Sequence, residues 1–213
     1  MAFSGHHARK RFGQHWLVDG LVLDKILSAA RLKLHDKVLE VGPGRGALTE
    51  KLLASKATAV HAVELDRDLV AGLRVRFGTE CRFSLREGDV LSVPLTLPDG
   101  LDANKVVANI PYNITGPLLD RLVGRLGRAT DVAYELLVLL VQKEVADRIL
   151  ARPGQSSFSA LSVRIQLMAS CSRICEVPPS CFKPPPKVKS TVIALEPFGT
   201  DMRLDLPLAC RVD

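Results

Sequence analysis

The sequence has little that would assign the chain to the membrane, secreted or disordered classes of protein. Its central apolar run, residues 136–141, is closed by Glu135 and Gln142 and is too short to span a bilayer. The first sixteen residues lack the apolar centre of a secretory signal. With 47% hydrophobic and 24% charged residues, the composition is that of a globular protein. We expect a cytoplasmic protein with one main domain and no membrane segment.

Cysteine is also scarce, and its number is odd. Five cysteines in a chain of 213 residues favour reduced thiols over a disulfide framework. Cys171, Cys175 and Cys181 could be considered as zinc ligands, but they form no CxxC pair, and the last histidine in the chain is His61. We expect buried, inert thiols and no metal site.

The net charge of +6 is concentrated in two places. Residues 121–189 hold 11 Lys and Arg against 5 Asp and Glu, whereas the rest of the chain balances at 18 against 18. Within that remainder, the first sixteen residues carry Arg9, Lys10 and Arg11 and no acidic residue. Clustered positive charge is typical of a protein that binds a polyanion, and we expect these three residues to contact it. A solvated basic face that binds nothing has the same composition.

Helix-like and strand-like segments alternate along the chain. Apolar periodicity predicts helices over 20–31, 47–54, 68–77, 116–126, 143–151 and 156–169. Short apolar runs predict strands over 37–41, 59–65, 82–88, 105–108, 134–142, 171–177 and 190–195. This order indicates an α/β fold with a doubly wound, mostly parallel sheet. In such sheets, ligands bind outside the carboxyl ends of the strands.

A glycine loop follows the strand over 37–41. Gly42 and Gly44 allow a sharp turn and a close approach to a ligand, although glycines could also merely turn a strand into a helix. The GxGxG spacing differs from the dinucleotide GxGxxG. Glu64 ends the next strand, where it could accept both hydroxyls of a ribose, and Asp89 follows the third strand, where it could accept the amine of an adenine. S-adenosyl-L-methionine fits these features better than a nicotinamide dinucleotide.

The tetrapeptide Asn109-Ile110-Pro111-Tyr112 ends the fourth strand. An aromatic amine is a poor nucleophile. Two hydrogen-bond acceptors could hold its hydrogens while positive charge develops on the nitrogen: the Asn109 side-chain carbonyl and a main-chain carbonyl near Pro111. Pro111 fixes the backbone and lacks an N–H, while Tyr112 offers a stacking face for a base. A plain turn would use similar residues, but it would not require this position beside the glycine loop.

The segment over 182–190 is rich in proline and lysine. Its prolines could present Phe182 as a second stacking surface, with Lys183, Lys187 and Lys189 facing phosphates. The alternative is a plain surface connector. Since only 5% of the residues are aromatic, a phenylalanine at this place favours the first interpretation.

Six segments in this order resemble the KsgA-type (RsmA family) small-subunit rRNA adenine dimethyltransferases: GQHWL, EVGPGRGALT, VELD, GDVL, NIPYNIT and FKPPPKVKS. The resemblance covers about residues 9–197. It implies a Rossmann-like fold and S-adenosyl-L-methionine-dependent dimethylation of N6 on two adjacent adenosines in the 3′-terminal hairpin of small-subunit rRNA, within a pre-ribosomal particle. The cofactor would be lined by His15, Leu17, Gly42, Glu64, Asp89 and Asn109. Asn109, Pro111, Tyr112 and Phe182 would surround the target base. We expect a monomer.

A departure from the family pattern lies in the GQHWL segment. His15 and Trp16 stand where the family commonly has Asn and Phe, which bears on how the cofactor site closes. We expect residues 1–197 to form the methyltransferase domain and residues 198–213 to begin a helical C-terminal domain.

Three other functions compete with this interpretation: an antibiotic-resistance methylase of large-subunit rRNA, a non-catalytic RNA- or DNA-binding factor, and a nicotinamide-dependent oxidoreductase.

Overall fold

The computed structural model describes residues 14–96, 100, 102–125 and 133–199. Its strands are β1 (Trp16–Leu17), β2 (Lys37–Val41), β3 (Ala59–Glu64), β4 (Phe83–Glu87), β5 (Lys105–Asn109), β6 (Leu136–Gln142), β7 (Ala169–Val177), β8 (Phe182–Lys183) and β9 (Ser190–Pro197). Its helices are α1 (Gly20–Ala30), α2 (Ala47–Leu53), α3 (Arg67–Phe77), α4 (Thr115–Val123), α5 (Lys143–Leu150) and α6 (Ala160–Gln166). None of these helices is long and apolar enough to cross a membrane.

Seven strands form one sheet in the order β4-β3-β2-β5-β6-β9-β7. The neighbours from β4 to β6 pair in parallel, whereas β9 pairs antiparallel with both β6 and β7. Strand β9 therefore runs against the other six, and the predicted mostly parallel sheet is confirmed. From β2, the next strands along the chain, β3 and β4, lie to one side, and from β5 the later strands lie to the other side. The switch point, where such sheets bind ligands, consequently lies between β2 and β5.

The central strands are buried on both faces of the sheet. In β6, Leu137, Leu139 and Val141 pack in one hydrophobic cluster, and the alternate residues Leu136, Val138 and Leu140 pack in the other. Side chains of a strand alternate between its faces, so one continuous apolar run serves two cores. This double burial fixes the carboxyl end of β6 and, through pairing, that of β5.

Two parts of the sequence-based prediction differ from the structure. The helix expected over 156–169 is limited to Ala160–Gln166, because Ser159 and Ser162 form a capping box at its start and β7 already begins at Ala169. The second difference is a two-stranded ladder between β1 and β8, which pairs Trp16 with Lys183 and Leu17 with Phe182. Two residues are too few to show strand periodicity, so the sequence did not indicate this ladder.

The cysteines vary in burial. Cys181 is buried, Cys171 and Cys175 are partly buried, and Cys81 is exposed, so the expectation of buried thiols is wrong for Cys81. Cys210 lies outside the described residues. Burial raises the pKa of the Cys171 thiol to about 11, which keeps it protonated and unreactive. Within the described ranges, no group of His, Cys, Asp and Glu side chains is placed to hold a metal ion.

A buried ion pair anchors the amino end of β5 to α1. Lys105 Nζ lies 2.8 Å from Asp36 Oδ2 and also donates to the main-chain carbonyls of Ala30 and Arg31. Asn104 donates to the other oxygen of Asp36 at 2.9 Å. Burial alone would raise the pKa of Asp36, but the hydrogen bonds from Lys105 and Asn104 outweigh it and lower the pKa. This end of the sheet is thus structural.

We predict that Lys105→Met lowers the free energy of unfolding by about 3 kcal/mol, because it leaves Asp36 buried without its cation. Urea titration followed by circular dichroism measures the loss. The matched control is Lys51→Met, whose pair with Asp24 joins side chains that are 42% and 59% exposed, and it should change stability by less than about 1 kcal/mol. Equal losses in the two variants would contradict the prediction.

Candidate active site

A cavity of about 340 Å³ lies at the carboxyl ends of β2, β3 and β5, at the switch point of the sheet. The loops after these strands and after β4 form its walls, and the segment before β1 closes one side. Eight residues that the sequence predicted for the site meet here: His15, Gly42, Gly44, Glu64, Asp89, Asn109, Pro111 and Tyr112. The position predicted for the site is therefore the position of this cavity.

The glycine loop needs glycine for both conformation and space. Gly44 has a φ of +59°, and a Cβ at this position would lie 2.7 Å from Cδ1 of Trp16. Gly42 has a φ of +65°, and its N–H donates to the carbonyl of Val63 at 2.9 Å. The loop is thus tied to the end of β3, and its backbone forms the floor of the cavity.

Glu64 presents a buried carboxyl group to the cavity. One of its oxygens accepts hydrogen bonds from the backbone N–H groups of Leu65 and Asp66 at 2.9 Å, and the other accepts one from Gly44 at 3.1 Å. Burial raises the pKa of Glu64, and these backbone hydrogen bonds act in the opposite direction. Because a carboxylate has about four lone-pair sites and three are occupied here, Glu64 keeps about one site, on the oxygen that accepts from Gly44, for a hydrogen bond from a ligand hydroxyl.

Asp89 stands beside Glu64 on the neighbouring loop. The N–H of Gly88 donates to the carbonyl of Glu64 at 2.9 Å, which joins the two loops. One oxygen of Asp89 accepts from the N–H of Leu91 at 2.9 Å, and the side chain is exposed at the cavity wall. This bond orients the carboxylate, which leaves its second oxygen available to an amine.

The amide of Asn109 has a defined orientation. Its Nδ2 donates to the main-chain carbonyl of His15 at 3.1 Å. A carbonyl oxygen can only accept, so the nitrogen must face His15 and Oδ1 must face the other way. Among the described residues, Oδ1 has no hydrogen-bond donor. Asn109 therefore offers a side-chain acceptor at the cavity wall.

Tyr112 and His15 form an aromatic pair at the mouth of the cavity. Their ring centroids are 5.8 Å apart and their planes differ by 26°. The Tyr112 hydroxyl lies 2.6 Å from Oγ of Ser190, and His15 Nδ1 lies 2.9 Å from the carbonyl of Pro184, to which it donates. These contacts fix the Tyr112 ring between the N-terminal segment and the proline-rich segment.

Two predicted site residues do not reach the cavity. Leu17 and Phe182 are 5% and 2% exposed and belong to the hydrophobic core, because the β1–β8 ladder turns both side chains inward. Phe182 therefore offers no stacking face in this structure, and Leu17 supports the cavity wall from behind. The lysines of the same segment, Lys183, Lys187 and Lys189, are exposed. Arg9, Lys10 and Arg11 lie outside the described residues.

Sequence reasoning missed two residues near the cavity. The Arg45 guanidinium lies over the ring of Trp16, 4.0 Å from its centroid. Glu40 is buried at the end of β2, where Oε2 accepts from the Thr49 hydroxyl at 2.7 Å. Burial raises the pKa of Glu40 to about 8. The sequence does contain an indication of Glu40, since it is the one charged residue among the apolar positions 38–41 of the strand.

The fold and the cavity define the class as Rossmann-like methyltransferases. The chain belongs to the ribosomal RNA adenine dimethylase family, whose model matches residues 5–208. It is 70% identical, over its full length, to the ribosomal RNA small subunit methyltransferase A of Prochlorococcus marinus (strain MIT 9303), and it covers 76% of that protein.

Two solved structures are also similar to this chain. A dimethyladenosine transferase from Plasmodium falciparum matches 86% of this chain with 34% identity and a TM-score of 0.77, and the match covers 64% of that protein. The 23S rRNA methyltransferase ErmE matches 91% of this chain with 26% identity and a TM-score of 0.74, covering 73% of that protein.

We predict that Gly44→Ala moves the side chain of Trp16, the chain's only tryptophan, and so changes its fluorescence. The matched control is Gly154→Ala, which also places alanine at a positive φ, +90°, but with nothing within 4 Å. Both variants should lose about 1–2 kcal/mol to backbone strain. Only Gly44→Ala should shift the emission spectrum. Unchanged emission in that variant would contradict the close approach.

The buried Glu40 should make stability depend on pH. Between about pH 5 and 8, the folded chain keeps a proton on Glu40 that the unfolded chain has released, so rising pH destabilises the wild type. Relative to Glu40→Gln, the wild type should lose about 1 kcal/mol per pH unit in this window. Urea titrations at several pH values measure the difference. Glu50→Gln, at an exposed position of α2, is the control. Its free energy of unfolding should change with pH in the same way as that of the wild type.

Proposed function

We propose that this protein transfers methyl groups from S-adenosyl-L-methionine to N6 of two adjacent adenosines in the 3′-terminal hairpin of small-subunit rRNA, as part of small-subunit maturation. The observation that carries the proposal is the orientation of Asn109, whose Oδ1 is left as an acceptor at the wall of the cavity that Tyr112 also lines. Membership of the rRNA adenine dimethylase family supports the same reaction.

The residues of the cavity fit S-adenosyl-L-methionine. Glu64 would accept a hydrogen bond from a ribose hydroxyl through the oxygen that faces Gly44, and Asp89 would accept one from the adenine amine, while the backbone of Gly42 and Gly44 would lie against the ligand. A Cβ on Gly42 would lie 3.6 Å from the Pro111 ring and would narrow the cavity between the loop and the tetrapeptide. His15 and Trp16 would cover the site. When bound, the cofactor supplies an electrophilic methyl group on a sulfonium.

The protein's own contribution is to align the target amine. Asn109 Oδ1 accepts one amine hydrogen, and a main-chain carbonyl accepts the other, so acceptors lie where positive charge develops on nitrogen. The Pro111 carbonyl already accepts from the N–H of Ile114 at 3.1 Å, whereas the Ile110 carbonyl accepts from no described backbone N–H, and we assign the second acceptor to Ile110. Tyr112 stacks on the base that leaves its helix. No general base is needed, since the amine loses its proton after the transfer.

The proline-rich segment over 182–190 suits contact with an RNA backbone. Lys183, Lys187 and Lys189 are exposed and form no ion pair with a described acidic residue. We assign them contacts with phosphates. Phe182, packed against the core, holds this segment in place rather than touching the base.

The test is incubation with unmethylated small and large ribosomal subunits and labelled S-adenosyl-L-methionine, followed by mass spectrometry of nucleosides. We expect N6,N6-dimethyladenosine from small subunits only. Label in large subunits would favour the activity named for ErmE, and cofactor binding without any methylated product would favour a non-catalytic factor.

Within this assay, Asn109→Ala should lower turnover by about 100-fold or more, since it removes an acceptor that acts in the transition state. Its affinity for S-adenosyl-L-methionine, measured by calorimetry, should change only a few-fold. Asn113→Ala removes the same amide from an exposed position of the same cavity that has no hydrogen bond to His15, and it serves as the control for losing an amide there. Unchanged turnover in Asn109→Ala would remove this residue from the mechanism.

A further inference from the structure

A second concave surface lies next to the candidate active site. It is an open groove of about 780 Å³ between α5, the loop over 156–159 and the segment over 188–189. Lys189, at its edge, immediately precedes Ser190, whose hydroxyl contacts the Tyr112 hydroxyl at 2.6 Å. The N–H of Lys143, at the start of α5, donates to the carbonyl of Lys189 at 2.9 Å. The groove and the contact that fixes Tyr112 therefore involve consecutive residues of the chain.

The groove contains an aromatic side chain that the core does not use. Phe158 lines it, is only partly buried, and belongs to neither hydrophobic cluster of the described residues. The turn that carries it is fixed by a hydrogen bond from its N–H to the carbonyl of Gln155 at 3.0 Å. A ring held in this way can serve as a platform for a planar group.

Two cations without carboxylate partners line the same groove as this ring. Arg148 and Lys189 are exposed, and neither forms an ion pair with a described acidic residue. The acid Asp147 is already neutralised by Lys143 and Arg173, each at 2.7 Å. Glu144 remains as an acidic residue of the groove without an ion pair to a described residue. An aromatic ring and cations without acidic partners in one groove are a combination that binds single-stranded nucleic acid.

We propose that this groove holds the nucleotide adjacent to the target adenine, with its base stacked on Phe158 and its phosphates near Arg148 and Lys189. The proposal rests on the proposed function, because it assumes an RNA whose target base enters the cavity at Tyr112. It adds a subsite that the sequence motifs did not indicate. The negative charge of Glu144 repels the phosphates and lowers the affinity of the groove for RNA.

The kinetic test uses the full chain and unmethylated small subunits. Phe158→Leu and Arg148→Ala should each raise KM for the subunit by about tenfold, with kcat and the affinity for S-adenosyl-L-methionine nearly unchanged. Phe158→Tyr, which keeps the ring, should restore the wild-type KM, and Glu144→Gln should lower KM. Lys56→Ala, an exposed lysine at the amino end of β3, is the charge control and should have no effect. Equal KM values for wild type, Phe158→Leu and Arg148→Ala would overturn the proposal.

A spectroscopic test separates stacking from a structural role. RNA hairpins carrying 2-aminopurine on the 5′ or the 3′ side of the target adenine report stacking by quenched fluorescence. One of the two should be quenched by wild type and Phe158→Tyr but not by Phe158→Leu. No difference among the three proteins with either RNA would overturn the proposal. Failure of the proposed function is distinguishable, because then the wild type itself would not methylate the subunit.

Discussion

The candidate active site depends on the hydrogen bond from the Asn109 amide to the main-chain carbonyl of His15. It joins β5, whose position is set by pairing with β2 and β6, to an N-terminal segment that contributes only two residues of strand. Because the carbonyl can only accept, this one bond also decides which end of the amide remains available to a ligand. Without it, Asn109 could rotate, and the cavity would lose its fixed acceptor.

The N-terminal segment is in turn held by the proline-rich segment. The N–H of Val18 donates to the carbonyl of Cys181 at 2.9 Å, and His15 donates to that of Pro184. Beneath these bonds, the buried side chains of Leu17 and Phe182 contribute apolar contact area that keeps the two segments together. These two residues therefore do not contact the ligand. They hold in place the N-terminal segment, whose His15 carbonyl orients Asn109.

The elements that sequence reasoning predicted well are those with local causes. The parallel strands follow from apolar runs, the glycine loop from its spacing, and Glu64, Asp89 and Asn109 from their places at strand ends. The places of Leu17 and Phe182 could not be predicted, since a two-residue ladder joins segments 165 or more positions apart and leaves no periodic trace. The orientation of Asn109 was hidden for the same reason, because its partner is 94 positions away. The family resemblance supplied the motifs, but it did not indicate that the side chains of Leu17 and Phe182 turn into the core.

The cavity itself cannot select one RNA from another. Any adenine presents the same amine and the same ring to Asn109 and Tyr112, and ErmE, named for 23S rRNA, shares this fold. Selection must come from contacts outside the cavity, where the lysines of the proline-rich segment and the groove at Phe158 lie. Phosphate contacts carry no sequence information, and aromatic stacking tolerates every base. Such a surface would therefore select an RNA by shape, favouring a target adenine whose neighbour is also unpaired and free to stack.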